Sequence, residues 1–448
     1  MLKSGVAIRD ITPPEGLELG GYPHYPRYNT GAHDSLYAAC IYLNDGKNET
    51  ALVTLDLLFF SKKHVQSVRE RVNAACGMKP GNIMISCSHT HSGPWAAGRL
   101  DIESLEAGVE QPVKYVNSLI EGITSEILEA RENAFEASIA IGTAMCGAES
   151  GVGGNRRIPG GPHDPLVSVL AVKDKTDRIR GIFVNYTLHP TFIHEWSTVC
   201  TADYPCYLKR ELTEREPGAV VCFAQGASGN QSSRYYRQGE SYDEAERVGR
   251  TLGKAAFTVL KKASWKEDAE IECRSTSVPL EIRSFGTVDE LKEKVARDTD
   301  IYKELYAKYG SSKNRKEYYL WQNANLKMLG SEDQLGYALM KEKGTKIELL
   351  EDENPDEVQL IKIGDSLMVN VQGEVFVEYA LYIKAMAGYE TVFFNELANG
   401  CLPGYLYTPE SLVTGGYETD TSMLGPSFGR HLVNAALEEI GKLHKETM

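Results

Sequence analysis

Apolar residues along the first two-thirds of this chain fall by turns into short continuous runs and into helical periods. Ala51-Leu52-Val53-Thr54-Leu55 has the length and β-branched content of a buried strand. Val65, Val68, Val72 and Ala75 then recur at helical spacing, and Gly77 supplies a stop. The run Asn82-Ile83-Met84-Ile85-Ser86-Cys87 reads as a strand again, and the order strand, helix, strand predicts a parallel pair. A second helix carries Val116, Leu119, Ile120, Ile123 and Ile127 on one face. Further strands are expected at 137–145, 166–173, 181–188 and 219–224, the last preceded by a helix over 204–216.

From Thr287 the texture changes. Thr287-Val288-Asp289-Glu290 forms a capping box, and the charged, Tyr-rich stretch that follows predicts two helices, a helical insertion over 287–343. Strands are expected to return at 345–351, 357–363 and 366–371, followed by helices over 376–387 and 428–444. No repeat or low-complexity linker divides the chain. The expected fold is α/β, a mixed-sheet core with flanking helices and a helical insertion, in a single domain over 1–448.

Composition narrows the classes. A chain of 448 residues, 42% of them hydrophobic, is long enough to bury a large core. Forty-eight basic against sixty-two acidic residues give a net charge of -14, which argues against nucleic acid or an anionic membrane surface as a partner. No run approaches the roughly 18 apolar residues of a membrane span, and the N-terminus lacks a signal-peptide core, so a cytoplasmic location and no stable membrane insertion are expected. The nine cysteines are scattered without a CxxC, which points to small buried hydrophobes and not to a disulfide framework or a thiolate site. Nothing in the sequence sets the oligomeric state.

Three strand ends carry metal-ligand chemistry. His89-Thr90-His91 follows the Ile83–Cys87 run and enters Ser92-Gly93-Pro94; an extended pair would turn both imidazoles to one side. The plain alternative is two polar residues in a Ser- and Thr-rich turn. Tyr186-Thr187-Leu188-His189-Pro190 repeats the arrangement, with proline ending the ladder. Val369-Asn370-Val371-Gln372-Gly373-Glu374 delivers a carboxylate at the mouth of a third strand. Two imidazoles and a carboxylate are the usual donors of a catalytic zinc that keeps one position open.

Two loops hold further candidates. Ser228, in Gln225-Gly226-Ala227-Ser228-Gly229-Asn230, is a hydroxyl on a Gly turn after a strand, but Asn230 stands where a nucleophile elbow needs glycine. Arg156, in Asn155-Arg156-Arg157, is a guanidinium in a Gly-rich loop, able to grip a carboxylate, phosphate or oxyanion or simply to be solvated.

The order of SCSHTHSGP, NRR, NYTLHP, GASGN, QGE, GYLYTPE and YETDTSMLGP resembles the neutral (alkaline, non-lysosomal) ceramidase family, zinc amidases that cleave N-acyl sphingosines. The resemblance runs from Gly5-Val6-Ala7-Ile8-Arg9-Asp10 to Gly425-Pro426. It implies zinc held by His89, His189, Glu374 and Tyr405, with His91, Arg156 and Tyr417 as catalytic or substrate-orienting groups and Ser228 beside the metal. The chain departs from the family at that serine, where GDVSPN is replaced by QGASGN. The family's long members also continue into a C-terminal immunoglobulin-like domain, so a short form is expected.

The combined expectation is a zinc-dependent hydrolase of an amide bond in a small polar molecule and not ceramide itself. His91 would be general base and acid, and Arg156 and Tyr417 would orient the substrate or donate to the oxyanion. Two alternatives stand beside it: a serine esterase using Ser228, and a metal-stabilised binding protein without turnover.

Overall fold

The computed structural model describes residues 1–96, 110–344, 348–402 and 404–447. Its largest element is an eight-stranded mixed sheet in the order Ile83–Cys87, Glu49–Leu55, Tyr37–Asn44, Lys3–Asp10, Phe135–Met145, Leu166–Asp174, Ile179–Tyr186, Val220–Gln225. The outermost pair at each end is parallel and the five pairings between them are antiparallel. Both parallel pairs are strand–helix–strand units, closed by the helices Lys62–Cys76 and Tyr204–Arg215. A second sheet holds four strands, Ile271–Val278, Asp356–Ile363, Ser366–Asn370 and Thr391–Asn395, in chain order.

Strand residues alternate between two cores, which is why the runs read as continuously apolar. In Tyr37–Asn44, Ala38, Cys40 and Tyr42 face the helices Lys62–Cys76 and Glu110–Glu132. Ala39, Ile41 and Leu43 instead face Ile361, Ile363, Met368 and Phe393 of the second sheet. The helices Val377–Met386 and Phe428–Thr447 cover the outer face of that second sheet. The layers are therefore helix, sheet, sheet, helix.

The two edges of the large sheet are joined by one segment. Glu396 N donates to Gln225 O at 3.0 Å on one edge strand, while Cys87 N donates to Leu397 O at 3.1 Å and Asn399 N to Ile85 O at 2.7 Å on the other. Residues 396–399 thus cover strand edges that would otherwise present unpaired backbone, and they tie Ile83–Cys87 to Val220–Gln225, the parallel neighbour of Ile179–Tyr186.

Residues 287–343 leave between two neighbouring strands of the second sheet and form the packed helices Val288–Tyr309 and Arg315–Glu342. The capping box at Thr287 is present, with Glu290. The strand expected at 345–351 is a correction: Glu348–Glu353 is a helix, and 345–347 lie outside the described residues. Glu and Leu are strong helix formers, and two adjacent leucines are too short a pattern to establish alternation. Among the described residues no helix is long and apolar enough to cross a membrane.

Candidate metal centre

The strand Ile83–Cys87 stops before the first histidine, and His89 takes the left-handed conformation, φ 66°. The expected extended pair is therefore absent: a non-glycine residue in this region of backbone space turns the chain, and the turn brings the rings together. The centroids of His89 and His91 lie 4.8 Å apart at 89°. The loop is tied down by Thr90 Oγ1, which donates to Thr201 O at 2.6 Å, and by His91 N, which donates to Pro190 O at 3.5 Å. Gly21 (φ 96°) lies flat on the His91 ring, where a Cβ would come within 2.5 Å of the imidazole.

His189 arrives from the opposite end of the sheet and meets this loop. Its Nε2 stands 3.1 Å from His89 Nε2, and Glu374 Oε2 lies 3.3 Å from the first nitrogen of the pair, His89 Nε2, and 3.1 Å from His189 Nε2. His91 Nε2 is 3.3 Å from His89 Nε2. All these side chains are buried or nearly so.

The proton positions make this cluster unusual. His189 Nδ1 lies 2.8 Å from Ser228 O and His89 Nδ1 3.4 Å from Leu58 O. Carbonyls only accept, so in each neutral ring the proton belongs on Nδ1 and Nε2 presents a lone pair. Burial, followed by Arg156, pushes the His189 imidazole down to about 4, which keeps it neutral. Glu374 Oε2, buried and without a hydrogen-bond donor, adds another lone pair to the same point. Acceptors facing acceptors in a buried pocket repel one another unless a cation stands between them. Donor atoms around a tetrahedral zinc at about 2.0–2.1 Å are spaced about 3.3 Å apart, and the spacings here match. The residues therefore fit a zinc ion.

His91 differs from the other two imidazoles. It belongs with them to a group of three whose ring nitrogens lie within 4.8 Å, but its Nδ1 is buried without a hydrogen-bond partner. It thus lacks the carbonyl contact that fixes the tautomer of a ligating histidine. Burial first, then the two neighbouring imidazoles, hold its pKa well below the usual histidine value. His91 therefore stands neutral beside the donor cluster.

Tyr405 sits beside Glu374 because the two are register partners in the short parallel pair Glu374–Val375 and Tyr405–Leu406. Arg156 packs over the Tyr405 ring at 5.4 Å, donates through Nε to Glu418 at 2.8 Å, and donates through an Nη to Gly229 O at 2.8 Å. Burial opposes the guanidinium charge, but Tyr405, Glu418 and Glu374 keep it protonated. Tyr417 stands 6.1 Å from Tyr405, ring to ring, and burial raises its phenol above the ordinary tyrosine range. Arg156, Tyr405 and Tyr417 all face the same cavity as His89, His91 and Glu374.

Ser228 is adjacent to the cluster, but through its backbone. Its carbonyl holds His189, while its hydroxyl, fully buried, donates to Glu396 Oε1 at 2.5 Å. The hydroxyl's partner is a carboxylate and not an imidazole, and Ser228 is absent from the residues lining the cavity. Gly229 explains part of the altered motif: its N–H donates to Val375 O at 2.9 Å, a bond a proline cannot make, and a Cβ there would come within 2.9 Å of the Glu374 and Val375 backbone.

The cavity has a volume of about 480 Å³. Its inner wall is built by Tyr22, Phe59 and Trp95 around the imidazoles. Its outer wall is an edge-to-face series on the two helices of 287–343, with Trp321 5.1 Å from Tyr306 and 5.3 Å from Tyr318. Arg234, Arg237, Glu195 and Glu240 add charge of both signs. Sequence reasoning missed these walls and missed Glu396. The available signal for Glu396 was an acidic residue closing the apolar run Thr391-Val392-Phe393-Phe394-Asn395.

Residues 2–151 match the family profile described as neutral/alkaline non-lysosomal ceramidase, N-terminal. The chain is 23% identical over 309 residues to the neutral ceramidase of Pseudomonas aeruginosa, covering 60% of this chain and 43% of that one. It is 32% identical over 142 residues to neutral ceramidase 3 of Arabidopsis thaliana, covering 31% and 19%. The matches thus span less than half the length of either relative. The fold matches the crystal structure of the Pseudomonas aeruginosa neutral ceramidase with a TM-score of 0.71 at 18% identity, over 98% of this chain and 75% of that one. A structure described as ceramidase complexed with C2 matches with a TM-score of 0.73 at 18% identity, over 99% and 75%. The chain is thus similar to the neutral/alkaline non-lysosomal ceramidases in its N-terminal third, and it shares the fold of a solved neutral ceramidase.

Proposed function

We propose that this protein is a zinc-dependent hydrolase that cleaves the amide bond of a small N-acyl compound. The observation that carries the reading is the convergence of lone pairs from His89, His189 and Glu374, of which His89 and Glu374 line an aromatic cavity. These three residues would hold the ion, with Tyr405 beside Glu374 as the next donor. Zinc, when bound, supplies a Lewis acid that polarises a carbonyl and lowers the pKa of a coordinated water to about 7.

The chain's own groups then have separate tasks. His91, neutral and uncommitted at Nδ1, takes a proton from the attacking water and returns it to the leaving nitrogen. Arg156, held by Glu418 and Gly229 O, is a fixed positive charge for the developing oxyanion, and Tyr417 is a phenolic donor on the same wall. The aromatic walls exclude water and contact the acyl or amine portion. A cavity of about 480 Å³ with arginines and glutamates among its tyrosines suits a compact, polar substrate better than a bilayer-embedded one.

A serine mechanism has less support, because the Ser228 hydroxyl is committed to Glu396. Hydrolysis assays across a panel of N-acyl amides test the proposal. Water-soluble short-chain amides are expected to show higher kcat/KM than long-chain ceramide in vesicles. Efficient turnover confined to vesicle ceramide would overturn the substrate class, and no turnover of any amide by the metal-loaded protein would favour a binding role.

A further inference from the structure

The groups that hold His189 and Glu374 in place lead to one residue outside the cavity. Glu396 is fully buried in the segment that joins the two sheet edges, and its backbone N–H donates to Gln225 O at 3.0 Å. Its Oε1 accepts from Ser228 Oγ at 2.5 Å, and its Oε2 accepts from Val375 N at 2.7 Å. Ser228 is the residue whose carbonyl holds His189 Nδ1, and Val375 follows Glu374 in the chain. Gly229 N closes the ring by donating to Val375 O at 2.9 Å.

We propose that Glu396 is a positioning residue that fixes the separation between His189 and Glu374 by binding the two loops that carry them with one carboxylate. The inference rests on the assignment of those residues as metal ligands. A carboxylate suits the place because it offers two acceptors in a fixed plane, one for a hydroxyl and one for an amide N–H. Groups that orient metal ligands in this way typically change metal affinity by about 10–100-fold when removed. Glutamine can reproduce the arrangement, with its carbonyl accepting from Val375 N and its amide donating to Ser228 Oγ. Alanine cannot.

The test measures zinc affinity by competition with a chromophoric chelator, together with the absorption spectrum of the cobalt-substituted protein. Glu396→Ala is expected to weaken zinc binding by about 10–100-fold and to change the cobalt bands, and Glu396→Gln to stay within about threefold of wild type. Val72→Ala, in a helix core remote from the site, serves as a control for general loss of stability, compared at the same distance below each variant's Tm. Wild-type zinc affinity in Glu396→Ala, or an equal loss in Val72→Ala, overturns the inference. His189→Ala separates the two levels. If it too binds zinc like wild type, the ligand assignment itself fails, whereas loss in His189→Ala with none in Glu396→Ala refutes only the role of Glu396.

Discussion

The Ser228 hydroxyl donates to the Glu396 carboxylate at 2.5 Å, so this side chain is committed inside the protein and is not among those that line the cavity. Ser228→Ala is therefore expected to retain measurable turnover. His91→Ala should cost about a hundred- to ten-thousand-fold in kcat, the usual range for a general base. Single-turnover kinetics with mass spectrometry on an activated amide decide between the mechanisms. A covalent acyl adduct on Ser228 in the wild-type protein would refute attack by water while leaving the metal ligands untouched.

Arg156 and Glu418 form a buried ion pair at 2.8 Å, with side-chain exposures of 8% and 5%, and Glu418 has Arg157 as a second partner. Arg156→Lys keeps the charge but loses the planar donor geometry that reaches Glu418 and Gly229 O together. It should lower kcat by at least about tenfold, the effect of losing about 1.4 kcal/mol of transition-state stabilisation, with little change in Tm. Arg156→Ala should also reduce folding stability, by about 3 kcal/mol. Steady-state kinetics and urea unfolding of the two variants check both statements.

Asn399 has φ 64° and joins the edge segment to both sheets: its side chain accepts from Ile85 N at 3.0 Å and donates to Gln359 at 2.9 Å. The bonds continue through Asn370 and Asn395 to Asn185. Asn399→Ala leaves a buried N–H unpaired and places alanine in left-handed backbone. A loss of about 2–4 kcal/mol is expected, read as a lower urea midpoint at unchanged m.

Glu353 is buried, accepts from Lys62 N and Cys401 N, and has its carboxyl pushed up to about 7, chiefly by burial. An unfolded glutamate titrates near 4.3. Between these values the folded state binds the extra proton, so the contribution is fully present below about pH 4.3 and is lost as pH rises through about 7. Chemical denaturation across pH 4.5–7.5 should show wild type losing stability relative to Glu353→Gln. Parallel curves would contradict the assignment.

Much of the site was legible locally. Each of His89, His189 and Glu374 follows a strand whose apolar run is plain in the sequence, and strand ends are where a sheet exposes side chains to a cleft. Their convergence was not legible, because it depends on a sheet whose outer strands are joined by residues 396–399, contacts between positions far apart in the chain. The sequence predicts an extended His89, whereas its positive φ follows from the same long-range packing. Alternation in Tyr37–Asn44 is hidden because both faces are buried. The aromatic wall on 287–343 needed the two helices to be placed over the cavity before their tyrosines acquired a meaning.

The most direct test is a zinc titration of metal-stripped protein, following hydrolysis of a soluble N-acyl amide and bound metal together. Activity should be absent after chelation, rise in proportion to bound zinc and level off at about one equivalent per chain, and the His89→Ala, His189→Ala and Glu374→Ala variants should neither bind that equivalent nor recover. Full activity in verified zinc-free protein, or stoichiometric tight zinc in all three folded variants, would contradict the account.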